Sequence, residues 1–155
     1  MPPTTGQCFW KIENISITGV ATGAIAIGAL IAEMLNLPYS YVRPEPKNHG
    51  LKNQIEGFID KGSEVVVIED LISTGKSSLN AINALRYEGF NVTGMLSIFS
   101  YNFDFANKRF KNENIPINSL ADFNTLVEMI LSEGSISEDE AARLMDWRND
   151  PENWV

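Results

Sequence analysis

Strands that alternate with helices along the chain predict an α/β domain built on a mostly parallel sheet. Three stretches carry that expectation. Glu64-Val-Val-Val-Ile68 is a continuous β-branched run of the kind buried on both faces in a parallel sheet. From Ile25 to Leu35 the apolar residues recur at helical spacing. A polar turn over Glu69 to Gly75 then leads into a second helical pattern, from about Lys76 to Glu88, which Gly89 stops.

The remaining elements follow in chain order. Ile15-Ser-Ile-Thr18 alternates and runs into a glycine-bearing turn at Gly19 and Gly23. Asn36 closes the first helix, and Pro38 to Val42 reads as a short strand. Arg43 to Gln54 reads as an exposed loop, because Pro44 and Pro46 block regular structure and Lys47, Asn48, His49 and Gly50 are polar or flexible. Val92 to Phe99 is the next strand and Phe103 to Asn112 the next helix. Pro116 to Ser119 reads as a last short strand before a helix at Ala121 to Glu133, ended by Gly134. Ser137 and Glu140 have capping-box spacing and open the final helix. No internal repeat and no linker interrupt the series.

At 155 residues, 44% apolar and 10% aromatic, the chain is large enough for one domain with a real core. The formal charge of −8 is uneven: residues 121–155 hold nine acids against Arg143 and Arg148, which leaves −1 for the first 120. An acidic tail with no basic stripe elsewhere argues against nucleic-acid binding. Cys8 stands alone, so no intramolecular disulfide framework exists, and a reducing cytosol suits it. The opening residues lack a signal-peptide layout, and the longest apolar stretch, Ala24 to Ala32, is about half of a membrane span. The expectation is a soluble, cytoplasmic protein with no membrane partner.

The chemistry is concentrated in Val65-Val-Val-Ile-Glu69-Asp70-Leu71-Ile72-Ser73-Thr74-Gly75-Lys76-Ser77-Ser78. Ligands of open α/β sheets bind at the carboxyl ends of strands, which is where the two acids fall. Backbone N–H groups from Ser73 to Ser77 can cradle a phosphate at the helix N-terminus. Adjacent carboxylates cannot hold the same phosphate; they suit hydroxyl donors such as a ribose diol, or Mg²⁺. Phosphate plus diol describes a ribose 5-phosphate. Gly75-Lys76-Ser77 also matches the end of a nucleotide-binding P-loop, but that motif needs glycine where Asp70 stands.

Glu69-Asp-Leu-Ile-Ser-Thr-Gly75 resembles the phosphoribosyl pyrophosphate (PRPP) motif of type I phosphoribosyltransferases, and its wording is similar to the orotate enzymes in particular. Gly19-Val-Ala-Thr-Gly23 resembles that family's first strand-to-helix turn, which contacts pyrophosphate. Tyr41-Val-Arg43-Pro-Glu-Pro-Lys47-Asn-His49-Gly50 resembles its mobile catalytic loop. The resemblance implies a type I phosphoribosyltransferase-like parallel sheet flanked by helices over residues 15–155. It implies that Arg43, Lys47 and His49 contact pyrophosphate, with Lys47 and His49 catalytic, and that the loop acts across a homodimer interface. Glu69, Asp70, Leu71, Ile72, Ser73, Thr74, Gly75, Lys76 and Ser77 carry over as the PRPP loop, with Ser73 also touching orotate. The implied reaction is PRPP plus orotate giving orotidine 5′-phosphate and pyrophosphate, with Mg²⁺ held through PRPP and Asp70, in pyrimidine synthesis. The alternatives are a phosphoribosyltransferase for another base and a non-catalytic PRPP-binding regulator.

The pattern is departed from in four places. Relatives usually begin with a longer N-terminal hood over the pyrimidine, which residues 1–14 do not resemble, and Lys11 takes no role from it. An arginine that some relatives place after the fourth strand is replaced by Ser100-Tyr101-Asn102-Phe103. Pro44 stands where some carry lysine, and Lys76 where glycine is common. A truncated chain that binds PRPP better than it transfers its ribosyl group is therefore expected.

Overall fold

The computed structural model describes residues 14–45, 54–151 and 153. Among the described residues six strands and five helices follow in the order β1 (Ile15–Val20), α1 (Ala24–Leu35), β2 (Tyr39–Val42), β3 (Ile55–Gly57), β4 (Glu64–Ile72), α2 (Lys76–Tyr87), β5 (Asn91–Ser100), α3 (Asp104–Asn112), β6 (Ile117–Asp122), α4 (Phe123–Ser132) and α5 (Glu138–Asn149). They form one sheet in the order β3-β2-β1-β4-β5-β6. All neighbours are parallel except β2 and β3, which pair antiparallel with Tyr41 opposite Glu56. The parallel α/β expectation holds. The short edge strand β3 was not anticipated; the expected loop ends at Gln54, directly before it.

The continuous apolar run of β4 has its cause in the two faces. Val65 and Val67 pack with Ala81, Ile82 and Leu85 of α2 and Phe110 of α3. Val66 and Ile68 pack on the other side with Ile17, Ala24 and Ala32. Ile82 and Leu85 are fully buried, and each such side chain contributes roughly 2 kcal/mol of transfer free energy. A third cluster seats the C-terminal helices: Phe123, Val127 and Ala141 pack with Phe99, Tyr101 and Trp147.

β4 runs four residues beyond the sequence expectation. Glu69, Asp70, Leu71 and Ile72 belong to the strand, and the turn is confined to Ser73-Thr74-Gly75. Pairing with β5 explains the extension, with Glu69 opposite Ser97, Leu71 opposite Phe99 and Ile72 opposite Ser100. The polar pair read as a turn because its side chains are polar; its backbone stays in the ladder.

Helix boundaries follow from local chemistry. Asn36 adopts the left-handed conformation (φ 53°) that ends α1. Asp122 caps α4 by accepting from the Thr125 N–H at 2.8 Å, so this helix starts two residues later than expected. The Ser137/Glu140 capping box is formed. Two buried hydroxyl pairs cross between neighbouring segments, Ser16 with Ser63 at 2.7 Å and Thr18 with Ser40 at 2.7 Å, and a part-buried pair joins Ser97 to the exposed Ser119 at 2.6 Å.

Candidate active site at the carboxyl ends of β1 and β4

From β1 the chain moves to β2 on one side, and from β4 it moves to β5 on the other. The strand order therefore reverses between β1 and β4, and a crevice opens outside their carboxyl ends. Two turns follow these strand ends: residues 21–23 after β1 and residues 73–75 after β4. Gly23 has an ordinary φ of −62°, so its need for glycine is spatial. A Cβ on Gly23 would overlap the Asp70 carboxylate, which lies directly against the turn. The Ala21–Thr22 peptide in this turn is cis.

The second turn ends on Gly75, left-handed at φ 74°, which caps α2 without a side-chain hydrogen bond. A Cβ there would also stand 2.7 Å from the Phe110 ring. The first helical bond runs from the Leu79 N–H to the Gly75 carbonyl at 2.9 Å. Ahead of it the N–H groups of the first turn have no intrahelical acceptor, as in any helix, and the dipole favours an anion there. Arg109 of α3 donates to the Thr74 carbonyl at 3.2 Å and so braces the turn from outside.

The two acids occupy different environments. Glu69 is 4% exposed. Its Oε2 accepts from the Ser78 hydroxyl at 2.8 Å and its Oε1 from the Asp70 N–H at 3.2 Å. Burial, reinforced by the neighbouring Asp70 carboxyl and opposed by Ser78, pushes the Glu69 pKa up from 4.5 to about 8. Asp70 is half-buried and accepts from the Leu71 N–H at 2.8 Å. Of the pair, Asp70 is the one placed to meet a ligand in the crevice.

The other sequence-predicted residues divide in the same way. Thr74, Lys76 and Ser77 are exposed around the turn and Ser73 is half-buried beside them. Ile72 is 1% exposed in the α2 core, and its carbonyl is taken by the Tyr101 N–H at 2.9 Å. Leu71 is exposed. Arg43 follows β2, where a small pocket of about 50 Å³ joins it to Ala21, Ser77 and Asn80. Its guanidinium pairs with Glu56 of β3 at 3.3 Å. Lys47 and His49, like Cys8 and Lys11, lie outside the described residues. Asn80 and Arg109 are neighbours of the site that sequence reasoning missed, and Ser78 closed the informative segment with no role assigned to it. Ser78 falls one residue past the motif and carries only the helical spacing of a core position, with Ala81, Ile82 and Leu85.

Among the described residues no group of three or more His, Cys, Asp or Glu could hold a metal ion. The donor set offers a divalent cation the Asp70 carboxylate, while Glu69 keeps its proton near neutral pH. That suits Mg²⁺, which retains waters and binds through one or two carboxylates together with substrate phosphates. No helix among the described residues is long and apolar enough to cross a membrane.

No protein-family model matches the chain. Among solved structures it is similar to the orotate phosphoribosyltransferase of Aeropyrum pernix, with TM-score 0.68, 33% identity and coverage of 79% of this chain and 66% of that one. It is also similar to the UMP synthase of Leishmania donovani, with TM-score 0.68 and 27% identity over 86% of this chain and 28% of that one. The adenine phosphoribosyltransferase of Rhodothermus marinus, 18% identical at TM-score 0.57, shares the fold. The sheet and its switch-point crevice are thus those of a type I phosphoribosyltransferase core.

Sequence similarity narrows the class. The orotate phosphoribosyltransferase of Bacteroides thetaiotaomicron is 50% identical over 139 residues, which cover 90% of this chain and 66% of that protein. That of Porphyromonas gingivalis is 47% identical over 148 residues, 96% of this chain and 70% of that protein. The chain belongs to the orotate phosphoribosyltransferase family. It spans about two thirds of the length of these curated relatives.

Proposed function

We propose that this chain is the PRPP-binding and transfer core of an orotate phosphoribosyltransferase. It would move the ribose 5-phosphate group of PRPP to orotate, giving orotidine 5′-phosphate and pyrophosphate for pyrimidine synthesis. The observation that carries this reading is the contact of Asp70 with Gly23. It joins the turn assigned to pyrophosphate and the segment assigned to ribose 5-phosphate at one crevice, so one ligand with both groups fits.

In this reading the N–H groups and hydroxyls of Ser73 to Ser77 hold the 5′-phosphate, and Asp70 accepts from the ribose diol. Ser73 also meets the base. The reaction is displacement at the anomeric carbon through an oxocarbenium-like transition state. Asp70 would hold Mg²⁺ together with the substrate, and the ion would supply charge neutralisation for the leaving pyrophosphate. Arg43, Lys47 and His49 add positive charge to the same group, where stabilising developing charge lowers the barrier. The proposed setting is a cytoplasmic homodimer in which the loop of one subunit serves the site of the other.

The direct test is orotate-dependent pyrophosphate release from PRPP with Mg²⁺, run on this chain beside the Bacteroides thetaiotaomicron relative. Orotate-dependent release supports the reading. Release that follows adenine or another base instead would replace orotate with that base. PRPP binding without release for any base would make the chain a PRPP-binding protein rather than a transferase.

A further inference from the structure

The segment assigned above to ribose 5-phosphate runs from Asp70 to Ser77. The residues at its two ends, Glu69 and Ser78, are tied to each other by the 2.8 Å hydrogen bond from the Ser78 hydroxyl to Glu69 Oε2. Both are sealed from solvent, Ser78 at 2% exposure and Glu69 at 4%. Ser78 is the polar member of the buried α2 positions, which are otherwise Ala81, Ile82, Ala84 and Leu85.

A serine in a helix can return its hydroxyl to the carbonyl four residues back. For Ser78 that acceptor is Thr74, whose carbonyl accepts from Arg109. The Ser78 hydroxyl instead reaches across to the strand. The Glu69 carboxyl therefore spans strand and helix, with one oxygen on the Asp70 N–H and the other on α2. An eight-residue segment closed at its base in this way has little freedom to change its span, and a preformed cradle binds more tightly than one that must be ordered by its ligand.

We propose that Ser78 is a positioning residue for the ribose 5-phosphate site: by clasping Glu69 it holds the 70–77 segment in the shape that receives the phosphate. The inference rests on the reading of that segment given under the proposed function. Ser78 touches no ligand itself; it acts through Glu69 and the backbone on either side.

The test compares two probes, ribose 5-phosphate and inorganic pyrophosphate, each titrated by calorimetry with Mg²⁺ present into the unmodified chain, Ser78→Ala and Ser78→Thr. Loss of one hydrogen bond's worth of organisation weakens ribose 5-phosphate binding about tenfold in Ser78→Ala. Pyrophosphate, assigned to the turn after β1 and to the 43–49 loop, keeps its affinity, and Ser78→Thr restores most of the ribose 5-phosphate affinity. A general loosening of the fold would weaken both probes together, so the split between them is what marks a positioning role. If Ser78→Ala does not fold, Ser78→Cys, a near-isosteric weak donor, is read in the same way. Ribose 5-phosphate affinity that survives loss of the hydroxyl, falls in step with pyrophosphate, or is not restored by threonine overturns the inference alone. Failure of the unmodified chain to bind ribose 5-phosphate overturns the parent reading and the inference with it.

Discussion

Glu69 makes the stability of the apo protein depend on pH in an unusual direction. In the folded chain its carboxyl is buried and holds its proton up to about 8, against 4.5 when exposed. The unfolded chain releases that proton near 4.5, so between these values the unfolded state binds fewer protons than the folded one. Stability then falls as pH rises. The contribution is fully present below about pH 4.5 and lost as pH climbs through about 8. At 1.36 kcal/mol for each tenfold, the difference amounts to roughly 3 to 5 kcal/mol at pH 9. Glu69→Gln removes the ionisation while keeping a carbonyl oxygen for Ser78. Urea unfolding of the two proteins, followed by far-ultraviolet circular dichroism at pH 5, 6.5, 8 and 9, isolates the effect of the Glu69–Asp70 pair because titrating groups remote from it cancel in the comparison. At pH 5 the two should agree to within about 1 kcal/mol, and by pH 9 the Gln variant should be the more stable by about 3 kcal/mol or more. A difference that stays flat from pH 5 to 9, or that grows in favour of the wild type, would mean that Glu69 ionises freely in the folded protein and that the burial argument is wrong.

Other outcomes follow from the same geometry. Gly23→Ala places a methyl group on the Asp70 carboxylate and should weaken PRPP binding at least tenfold by calorimetry, with little change in far-ultraviolet circular dichroism; unchanged affinity would separate the turn from the site. Asp70→Asn should lower PRPP affinity without unfolding the chain, whereas a folded variant with wild-type affinity would remove Asp70 from the ligand. Asp122→Ala deletes the α4 cap and should cost about 1 kcal/mol at neutral pH. Because the Thr125 N–H holds the Asp122 carboxyl below its usual range, that cost should shrink as pH falls through the depressed value, which urea titrations at pH 7 and pH 3 would compare. Mixing Lys47→Ala with Asp70→Asn chains should restore turnover if the loop works across a dimer, and verified mixed dimers without recovery would point to a site completed within one chain.

The elements that sequence reasoning placed well carry their own punctuation. Asn36, Gly89 and Gly134, each at positive φ, and the Ser137/Glu140 box ended or began helices within a residue or two of the expected points. Errors arose where tertiary pairing overrode local chemistry. Glu69 and Asp70 look like turn residues, but the β5 ladder keeps their backbone extended to Ile72. β3 is three residues long and exists through its pairing with β2, which no local pattern encodes. The acid pair stood out in the sequence as a candidate site, yet its division into a buried Glu69 and a more accessible Asp70 did not. That division depends on Ser78 closing over one carboxyl, a contact nine residues away in sequence. Arg109 was illegible for the same reason, since its partner at Thr74 is 35 residues distant.

The buried hydroxyl pairs have a consequence for alignment of the sheet. Apolar contacts are non-directional, so they alone hold parallel strands in register less sharply than a paired polar group does. Thr18 and Ser40 stand directly opposite each other on β1 and β2, and Ser97 and Ser119 do so on β5 and β6. Sliding β2 along β1 by one residue would turn its side chains to the wrong face, and sliding it by two would leave the Thr18 hydroxyl facing Pro38 or Val42 in a dry interior at a cost of about 1 to 3 kcal/mol. The Thr18–Ser40 pair, both residues fully buried, acts as an index mark that only one alignment satisfies. The mark between β1 and β2 lies two residues ahead of Val20 and Val42. It therefore fixes how far Arg43 projects relative to the Ala21-Thr22-Gly23 turn, and a misaligned edge would displace the cation by a full strand repeat of about 3.3 Å per residue.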